Sequence, residues 1–521
     1  MSIRQEIQTV FARASGGSEP APLEEPKNLD YGDYATNIAL RLAKPLKKAP
    51  KIIAQELVSK LAAQTTDFTF AEINGFINIR VSDRKLFQEL ARITPDYGKP
   101  DTDTERGRNI RTQKILLEYV SANPTGPLHI GHGRWAVLGD TLARVLTYCG
   151  QQVTREFYIN DAGQQIANFV NSVQAVRENQ PVPTDGYHGA YIQELAKLNA
   201  DPAQTMLDWQ KTTLQNIRSE FDSWFSEKTL HESGAVDQAL EILRRKDLLY
   251  TGENEYAGAL VFRSTNFGDD KDRVLIKSNG EKTYFTADIA YHKNKLDRGF
   301  DRLINIWGAD HHGYIARVRA AIEALSGRQD VLQVILGQLV NLFRGGEPVK
   351  MSKRTGEMIT LQEVLEEIGV DAARYFLAAA KPDTALDFDL ELAKKQSNDN
   401  PVYYVQYAHA RICSILRQAK IPHGQIVAAP PDKLETAERT LILKMLRLPE
   451  EIEAIAQNYA IHRLCAYAQE LAALFHNFYH ECQVISEDAQ TTARRLQIIQ
   501  AARIVLKIIF DLLGINAPEK M

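Results

Sequence analysis

The segment between residues 114 and 159 restricts the fold of this chain more than any other. A hydrophobic run covers Ile115–Val120, a Pro/Gly loop follows, a helix with one apolar face ends at Gly150, and a second hydrophobic run covers Val153–Ile159. The order of strand, loop, helix and strand predicts a βαβ unit, whose strands lie parallel. Parallel sheets are covered by helices on both faces, so the segment predicts an α/β domain.

A later segment completes the same predicted sheet. Arg302–Trp307 has the pattern of a buried strand, and a helix-like stretch, His312–Ala324, follows it. Residues of about 165 to 275 are therefore predicted to be an insertion into a doubly wound parallel (Rossmann-type) sheet. The predicted central domain spans residues 109–394 and includes a loop at 350–354.

The two flanking regions have different patterns. Residues 1–108 combine a helix-like run at Ile38–Leu46 with strands near Phe68–Phe70 and Phe76–Ile79, which predicts an α+β domain. From 395 to 521, apolar residues recur at helical spacing, which predicts an all-α helix bundle. A length of 521 residues agrees with this multidomain architecture, because it exceeds the size at which one hydrophobic core stops growing.

Composition excludes several classes of protein. The N-terminus lacks an apolar signal core and no run of about 18 apolar residues occurs, so we expect a cytoplasmic protein that is not embedded in a membrane. The formal net charge of −4 leaves phosphate binding to local basic patches. No Cys-x-x-Cys pair occurs, which argues against structural zinc and disulfides for Cys149, Cys413, Cys465 and Cys482.

The first candidate site motif follows the first predicted strand of the sheet, in Pro127-Leu128-His129-Ile130-Gly131-His132-Gly133. Parallel sheets bind ligands at the carboxyl ends of their strands, and a helix that begins there presents backbone N–H groups to phosphate. His129 and His132 would add two imidazole donors, and Gly131 permits close approach of the backbone. Alone the motif is weak, because histidines in ordinary turns share this spacing.

The second candidate motif is a cationic loop, Pro348-Val349-Lys350-Met351-Ser352-Lys353-Arg354-Thr355-Gly356. Lys350 and Lys353 would neutralise a triphosphate as charge builds in a transition state. A solvated basic loop is the ordinary alternative when such a run stands alone.

Together the two motifs resemble the paired HIGH and KMSKS signature of class I aminoacyl-tRNA synthetases, with Arg354 where the second motif ends in serine. Other segments resemble arginyl-tRNA synthetases in particular, and the resemblance extends over essentially the whole chain. These segments are Glu118–His129, Phe157–Gly163, Tyr187–Tyr191, Gly268–Val274, Tyr284–Tyr291 and Tyr403–Arg411.

The resemblance implies an ATP-dependent ligase without a tightly bound cofactor. Arginine would attack the α-phosphate of ATP, with Mg²⁺ present, and the resulting arginyl-adenylate would pass its arginyl group to the terminal ribose of a tRNA. The implied catalytic residues are His129, His132, Lys350 and Lys353. The implied ATP contacts are Pro127, Gly131, His132, Gly308, Asp310, Met351 and Ser352.

An arginine substrate gives a separate chemical test, since a guanidinium requires carboxylate and carbonyl-type acceptors with an aromatic ring nearby. The resemblance assigns arginine contacts to residues of suitable type, namely Glu118, Ser121, Asn123, Tyr284 and Asp288. Without the resemblance, an ion-paired glutamate, a turn asparagine and an exposed aspartate would explain most of them. A glutamine that some arginyl-tRNA synthetases carry near Ala309 is absent.

The flanking domains resemble an additional tRNA-binding domain and an anticodon-binding domain. The implied tRNA contacts are Tyr407, Arg411 and Met521, and aromatic residues beside an arginine suit the stacking of unpaired bases. Packing within the helix bundle explains such tyrosines almost as well. Lys44, Lys47 and Lys48 suit phosphate contacts, although a solvated helix end is equally consistent.

Several other functions compete with that of a monomeric synthetase as explanations of the sequence. A His311-His312 metal site lacks a third ligand in the sequence. A nucleotidyltransferase without tRNA would not need the helical C-terminal domain, and a catalytically silent tRNA-binding protein would not need the histidines and lysines of both motifs. Cysteine-specific synthetases carry zinc-binding cysteines, and leucine-, isoleucine- and valine-specific synthetases carry a larger insertion.

Overall fold

The structure is a computed structural model that describes residues 2–16, 21–26, 28–100, 112–349, 359–419 and 428–521. Its first part is an α+β domain, as predicted. The helices are α1 (Ile3–Ser15), α2 (Ile38–Leu46), α3 (Pro50–Ala62) and α4 (Asp83–Glu89). The strands β1 (Tyr34–Thr36), β2 (Phe68–Ile73) and β3 (Phe76–Val81) form an antiparallel sheet in the order β1-β3-β2.

The central region alternates strands and helices. Its strands are β4 (Lys114–Glu118), β5 (Gln152–Ile159), β6 (Ser223–Ser226), β7 (Leu249–Thr251), β8 (Leu260–Phe262), β9 (Arg273–Ile276), β10 (Arg302–Gly308), β11 (Leu332–Gly337), β12 (Val340–Arg344), β13 (Glu347–Pro348) and β14 (Leu386–Asp389). Its helices are α5 (Ile130–Tyr148), α6 (Gln164–Arg177), α7 (Ala190–Lys197), α8 (Pro202–Asn216), α9 (Lys228–Glu232), α10 (Ala235–Arg245), α11 (Tyr284–Asp297), α12 (Ile315–Ser326), α13 (Leu361–Ile368), α14 (Val370–Ala378) and α15 (Leu390–Lys394).

The main sheet of this region confirms the predicted doubly wound fold. Its strands are all parallel and lie in the order β11-β10-β4-β5-β6. The chain winds outward from β4 to β6, then returns to the other side of β4 through β10 and β11. The strand order therefore reverses between β4 and β10, and open parallel sheets bind ligands in the crevice at such a point.

Some element boundaries differ from the predicted ones. Strand β4 ends at Glu118 rather than Val120, because Val120 and Ser121 adopt left-handed backbone conformations with φ of 68° and 43°. The helix after β10 begins at Ile315, since Ala309–Tyr314 forms a 3₁₀ helix. Strand β6 lies within the range predicted as an insertion, yet it pairs with β5 in the main sheet.

The C-terminal part is helical, as predicted, with α16 (Pro401–Gln418), α17 (Thr436–Leu446), α18 (Leu448–Asn458), α19 (His462–Glu481) and α20 (Ala489–Leu513). The α+β domain packs against it through buried charges. The Arg439 guanidinium, which is 8% exposed, donates to the carboxylates of both Asp33 and Asp83. Among the described helices, none is long and apolar enough to cross a membrane.

Candidate active site

A cavity of about 1770 Å³ opens at the carboxyl ends of β4, β5 and β10, where the strand order reverses. Most of the predicted contacts with ATP and arginine line it. These are Glu118, Ser121, Asn123, Pro127, His129, His132, Tyr284, Asp288, Gly308 and Asp310. Lys350, Met351, Ser352 and Lys353 lie outside the described residues.

The two histidines begin helix α5 and cap it. His129 is the N-terminal cap, and its Nδ1 accepts a hydrogen bond from the Gly131 backbone N–H at 3.1 Å. His132 folds back, so that its Nδ1 accepts from the His129 N–H at 3.2 Å. The two rings stack with their centroids 3.7 Å apart. Because each Nδ1 accepts a backbone proton, the neutral form of each ring carries its own proton on Nε2.

Gly131 does not line the cavity, but it packs closely against the His129 ring. A Cβ atom at residue 131 would lie 2.9 Å from the His129 Cε1 atom, closer than side chains pack. The absence of a side chain at this position therefore allows the ring to fold over the first turn of α5. The predicted role of Gly131 as a close-approach glycine applies here to an imidazole ring of the protein itself.

The chain returns to the histidines directly after the second motif. Thr360 forms an isolated antiparallel bridge with His129, and the Leu361 N–H donates to the Leu128 carbonyl at 2.7 Å. Thr360 also caps α13, where it exchanges hydrogen bonds with Glu363 in a capping box. Both residues line the cavity. The C-terminal flank of the second motif is thus attached to the first motif.

Buried charged and polar groups line the opposite side of the cavity, which we call its floor. Glu118, at the end of β4, is 6% exposed and forms an ion pair with Lys295 of α11, whose side chain is fully buried. The other Glu118 oxygen accepts from the Ser121 hydroxyl at 3.0 Å, and that hydroxyl accepts from the Tyr158 N–H at 3.1 Å. The left-handed conformation of Ser121 places its hydroxyl between these two partners.

Asp288 lies on α11 beside this floor and receives a 2.5 Å hydrogen bond from the Tyr314 hydroxyl. Desolvation and the neighbouring carboxylates Glu118 and Glu227 raise the pKa of Asp288 to about 6, against the lowering effects of Tyr314 and Lys295. Desolvation also lowers the pKa of His292 to about 3, so this ring is neutral at physiological pH. Tyr284 stands at the start of the same helix and is 69% exposed.

Sequence reasoning missed several residues of this floor, namely Glu227, His292, Lys295 and Asn305. Glu227 follows β6, is 6% exposed, and lies 3.5 Å from the His231 ring through its Oε1 atom. Asp288, His292 and Lys295 recur at a spacing of four and three residues, which places them on one face of α11. A polar face on an otherwise buried helix was the one available signal for His292 and Lys295.

The described part of the insertion forms a third wall and holds the loop before His129. Gln210 of α8 is 1% exposed and donates to the carbonyls of Asn123 and Gly126 at 3.0 and 2.8 Å. The Tyr191 hydroxyl donates to the Thr125 carbonyl at 3.2 Å. The loop carbonyls are therefore fixed by side chains from helices that lie far from the loop in sequence.

Gly308, at the end of β10, lines the cavity next to Trp135, whose ring centroid is 5.5 Å from that of His132. A Cβ atom at Gly308 would lie 2.4 Å from an Asp310 carboxylate oxygen and 3.3 Å from the Trp135 ring. Asp310 points outward, with its side chain 81% exposed, and lies 3.6 Å from His311. Among the described residues, no group of three or more His, Cys, Asp or Glu side chains is arranged to hold a metal ion.

The predicted tRNA contacts lie away from the cavity, in the helical part. The Tyr403 and Tyr407 rings stack with centroids 6.2 Å apart, and Tyr407 also stacks on His476. The Arg411 guanidinium donates to the Tyr479 hydroxyl at 2.5 Å and lies over the same ring. The C-terminal Met521 is 53% exposed.

Family models match three stretches of the chain. The arginyl tRNA synthetase N terminal domain matches residues 1–81, and the catalytic domain of class I (R) tRNA synthetases matches residues 102–185 and 190–412. The DALR anticodon binding domain matches residues 405–521.

Individual relatives agree with these matches. The arginine–tRNA ligase of Desulforamulus reducens is 46% identical over 96% of this chain and 93% of its own length. That of Shouchella clausii is 45% identical over 96% of this chain and 94% of its own length. The solved arginyl-tRNA synthetase of Thermus thermophilus shares the fold, with a TM-score of 0.82 over the full length of both chains at 23% identity.

Proposed function

Because this chain belongs to the arginyl-tRNA synthetase family, we propose that its cavity binds ATP and L-arginine side by side. The chain is an ATP-dependent arginine–tRNA ligase. The arginine carboxylate attacks the α-phosphorus of ATP, pyrophosphate leaves, and arginyl-adenylate remains. A ribose hydroxyl at the 3′ end of the tRNA then attacks the arginyl carbonyl, and AMP leaves.

One observation carries the assignment of residues to this reaction. The cavity has imidazole donors on one side and buried carboxylates on the other, so that it matches a phosphate anion and a guanidinium cation at the same time. Asp288 and Glu227 supply negative charge for the guanidinium, and Tyr284 supplies an aromatic wall. Glu118, Ser121 and Asn123 contact the same substrate from β4 and the loop that follows it.

The phosphate side is proposed to act by electrostatic stabilisation. His129 and His132 donate from Nε2 to phosphate oxygens, and their backbone bonds hold both rings in this orientation before substrate arrives. Pro127, Gly308 and Asp310 border the adenosine, and Gly131, which does not line the cavity, acts through the His129 ring that packs against it. ATP enters as its Mg²⁺ complex, which balances part of the triphosphate charge.

The second motif is proposed to serve the leaving group. Lys350 and Lys353 clamp the pyrophosphate, and Met351 and Ser352 contact the nucleotide from the same loop. The described flanks support this proposal, because β13 ends at Pro348 and the chain is again described from residue 359, beside His129.

The flanking domains are proposed to bind tRNA. We divide the chain into residues 1–108, 109–394 and 395–521, with the helical part contacting the anticodon region through Tyr407, Arg411 and Met521. Lys44, Lys47 and Lys48 form a basic surface on the first domain that suits the tRNA backbone. We further propose that the protein acts as a monomer in the cytoplasm.

Aminoacylation of total tRNA with each of the twenty amino acids tests the specificity. The purified full chain should charge arginine in the presence of ATP and Mg²⁺, and should charge none of the other amino acids at a comparable rate. Charging of a different amino acid would refute the assignment of Asp288 and Glu227 to a guanidinium. Omission of ATP is the control, since charging must then stop.

A further inference from the structure

Lys295 is a charged residue in the floor of the cavity that no substrate can touch. Its side chain is 0% exposed, although Glu118, Tyr291 and Asn305 around it all line the cavity. The ammonium group donates to Glu118 and, at 3.2 Å, to the Asn305 Oδ1 atom, and it lies 4.3 Å from the centre of the Tyr291 ring. Any role in the reaction must therefore pass through these neighbours.

The hydrogen bonds around Lys295 form a chain with a fixed direction. The neutral His292 ring donates from Nδ1 to the Asp288 carbonyl at 2.8 Å, so its Nε2 is the acceptor for the Asn305 amide N–H at 3.3 Å. The Asn305 oxygen is then oriented toward the Lys295 ammonium. The two acceptors of the Lys295 ammonium, Glu118 and Asn305, are therefore each oriented by a further hydrogen bond, from Ser121 and to His292 respectively.

The chain continues through Glu118 to the next strand. One Glu118 oxygen accepts from Lys295 and the other from the Ser121 hydroxyl at 3.0 Å. A carboxylate has about four lone-pair sites, so Glu118 keeps acceptor capacity toward the cavity after both bonds are made. The carboxylate is thus held from two sides while it still faces the substrate.

The ion pair also decides how much negative charge the cavity presents. Lys295 cancels the charge of Glu118, whereas Asp288 accepts from the neutral Tyr314 hydroxyl and Glu227 lies near His231. A guanidinium carries one positive charge, and a third uncompensated carboxylate would compete for it or take up a proton. The pairing of Glu118 leaves the other two carboxylates to meet the substrate.

We propose that Lys295 is a positioning residue for arginine: it fixes Glu118 at the cavity floor and cancels its charge, so that Asp288 and Glu227 bind the guanidinium. This inference rests on the proposed function, because it assumes that arginine occupies this side of the cavity. Lys295 does not contact ATP or the reacting atoms. Its loss should therefore affect arginine far more than ATP.

The test compares Lys295→Met with Lys293→Met in steady-state charging assays. Lys293 lies on the same helix and forms an i,i+4 ion pair with Asp297 at 2.5 Å, outside the chain of bonds described above. We expect Lys295→Met to lower kcat/KM for arginine at least tenfold and to change the KM for ATP less than twofold. Lys293→Met should leave both within twofold of the wild type. Equal losses for arginine and ATP would overturn the proposal.

Two further variants separate positioning from mere stability. Lys295→Arg keeps the cation and should retain kcat/KM for arginine within about threefold if it folds. The double variant Glu118→Gln with Lys295→Met leaves no unpaired buried charge, so it should unfold at a higher temperature than Lys295→Met alone, although the Asn305 oxygen still loses its donor. It should lose no more kcat/KM than Lys295→Met alone, since the pair acts as one unit. Additive losses in the double variant would refute the coupling.

The design also separates this inference from the proposed function. If the wild-type chain fails to charge arginine, the proposed function fails and the Lys295 variants need not be made. If the wild type charges arginine but Lys295→Met keeps its kcat/KM for arginine, only the role of Lys295 is wrong. Thermal unfolding of every variant, followed by circular dichroism, shows whether a low rate reflects loss of the fold.

Discussion

The two sides of the cavity are built from contacts of very different range. On the phosphate side, His129 and His132 are held by backbone bonds to residues two or three positions away, within a single helix turn. On the arginine side, Glu118 pairs with Lys295 across 177 positions of sequence, and Asn305 joins them from a third element. The phosphate side is a local motif, whereas the arginine side exists only after the sheet has assembled.

Because of this difference, substitutions on the two sides should differ in how much they lower the stability of the fold. The histidine rings lie at a helix start, where their removal costs the helix cap, typically about 1 kcal/mol, but leaves the packing of the core in place. The arginine floor is part of the buried interior, so removal of one member leaves a buried partner unsatisfied, at a cost of about 1–3 kcal/mol or more for charged groups. Substitutions on the two sides should therefore be distinguishable by thermal unfolding as well as by kinetics.

The largest effect is expected from Asp288→Asn, on the arginine side of the cavity. Loss of one partner from a desolvated charge pair costs about 2–5 kcal/mol, so kcat/KM for arginine should fall by about a thousandfold. Asp297→Asn, at the end of the same helix, is the matched control and should keep near wild-type kinetics. Charging assays with varied arginine measure the effect. A comparable rise in the KM for ATP would show that the two sides are not independent.

The next largest effect is expected from His132→Ala, on the local side. Removal of one preorganised donor to the developing phosphate charge should lower kcat for adenylate formation about a hundredfold. Arginine affinity should stay at the wild-type value, because the ring is not part of the buried floor. The unfolding temperature should fall only slightly, through loss of the bond that His132 accepts in the cap of α5. Single-turnover formation of arginyl-adenylate gives the rate. A change confined to arginine binding would show that His132 acts on arginine and not on the phosphate.

The same contrast explains what the sequence predicted. The stop of α5 near Gly150 depends on residues within one helix turn, and it is confirmed. The order of elements also predicted the doubly wound parallel sheet, which is confirmed. These features follow from local periodicity and from the chemistry of helix ends.

Features that depend on distant partners were not predicted. Strand β4 stops two residues early because the Ser121 hydroxyl bonds to both Glu118 and the Tyr158 backbone, which a strand conformation would not allow. Lys295 and Glu227 each look like ordinary charged residues in the sequence. Their significance comes from burial against partners that the fold brings together, and the polar spacing on α11 that includes Lys295 does not show which partners bury it.

Lowering the pH should weaken the binding of arginine, through Asp288. Arginine binding requires ionised Asp288, whose pKa is raised to about 6, so the Kd for arginine should rise about fivefold between pH 6 and pH 5. Calorimetric titration of arginine without ATP measures this change. Tyr314→Phe removes a bond that favours the charged form and should move the rise to higher pH. A flat profile would contradict the assignment of Asp288.

The same pKa shift carries a stability effect of known sign. Between pH 3.8 and about 6, folded Asp288 holds more protons than the unfolded chain. The contribution of this group to the free energy of unfolding is therefore greatest below pH 3.8 and declines as pH rises toward 6. Thermal unfolding of Asp288→Asn, compared with the wild type across this range, should show a smaller decline.

The smallest effect is expected from Gly131→Ala. This variant tests whether activity depends on the position of the His129 ring on the phosphate side of the cavity. The new Cβ would lie 2.9 Å from the His129 ring, so the ring must shift by a few tenths of an ångström while the helix stays intact. Because alanine favours helix more than glycine by about 1 kcal/mol, the unfolding temperature should stay constant or rise. We expect kcat for adenylate formation to fall about threefold to tenfold. A lower unfolding temperature together with weaker arginine binding would mean that the two sides share one buried network, and that the contrast between local and long-range construction does not hold.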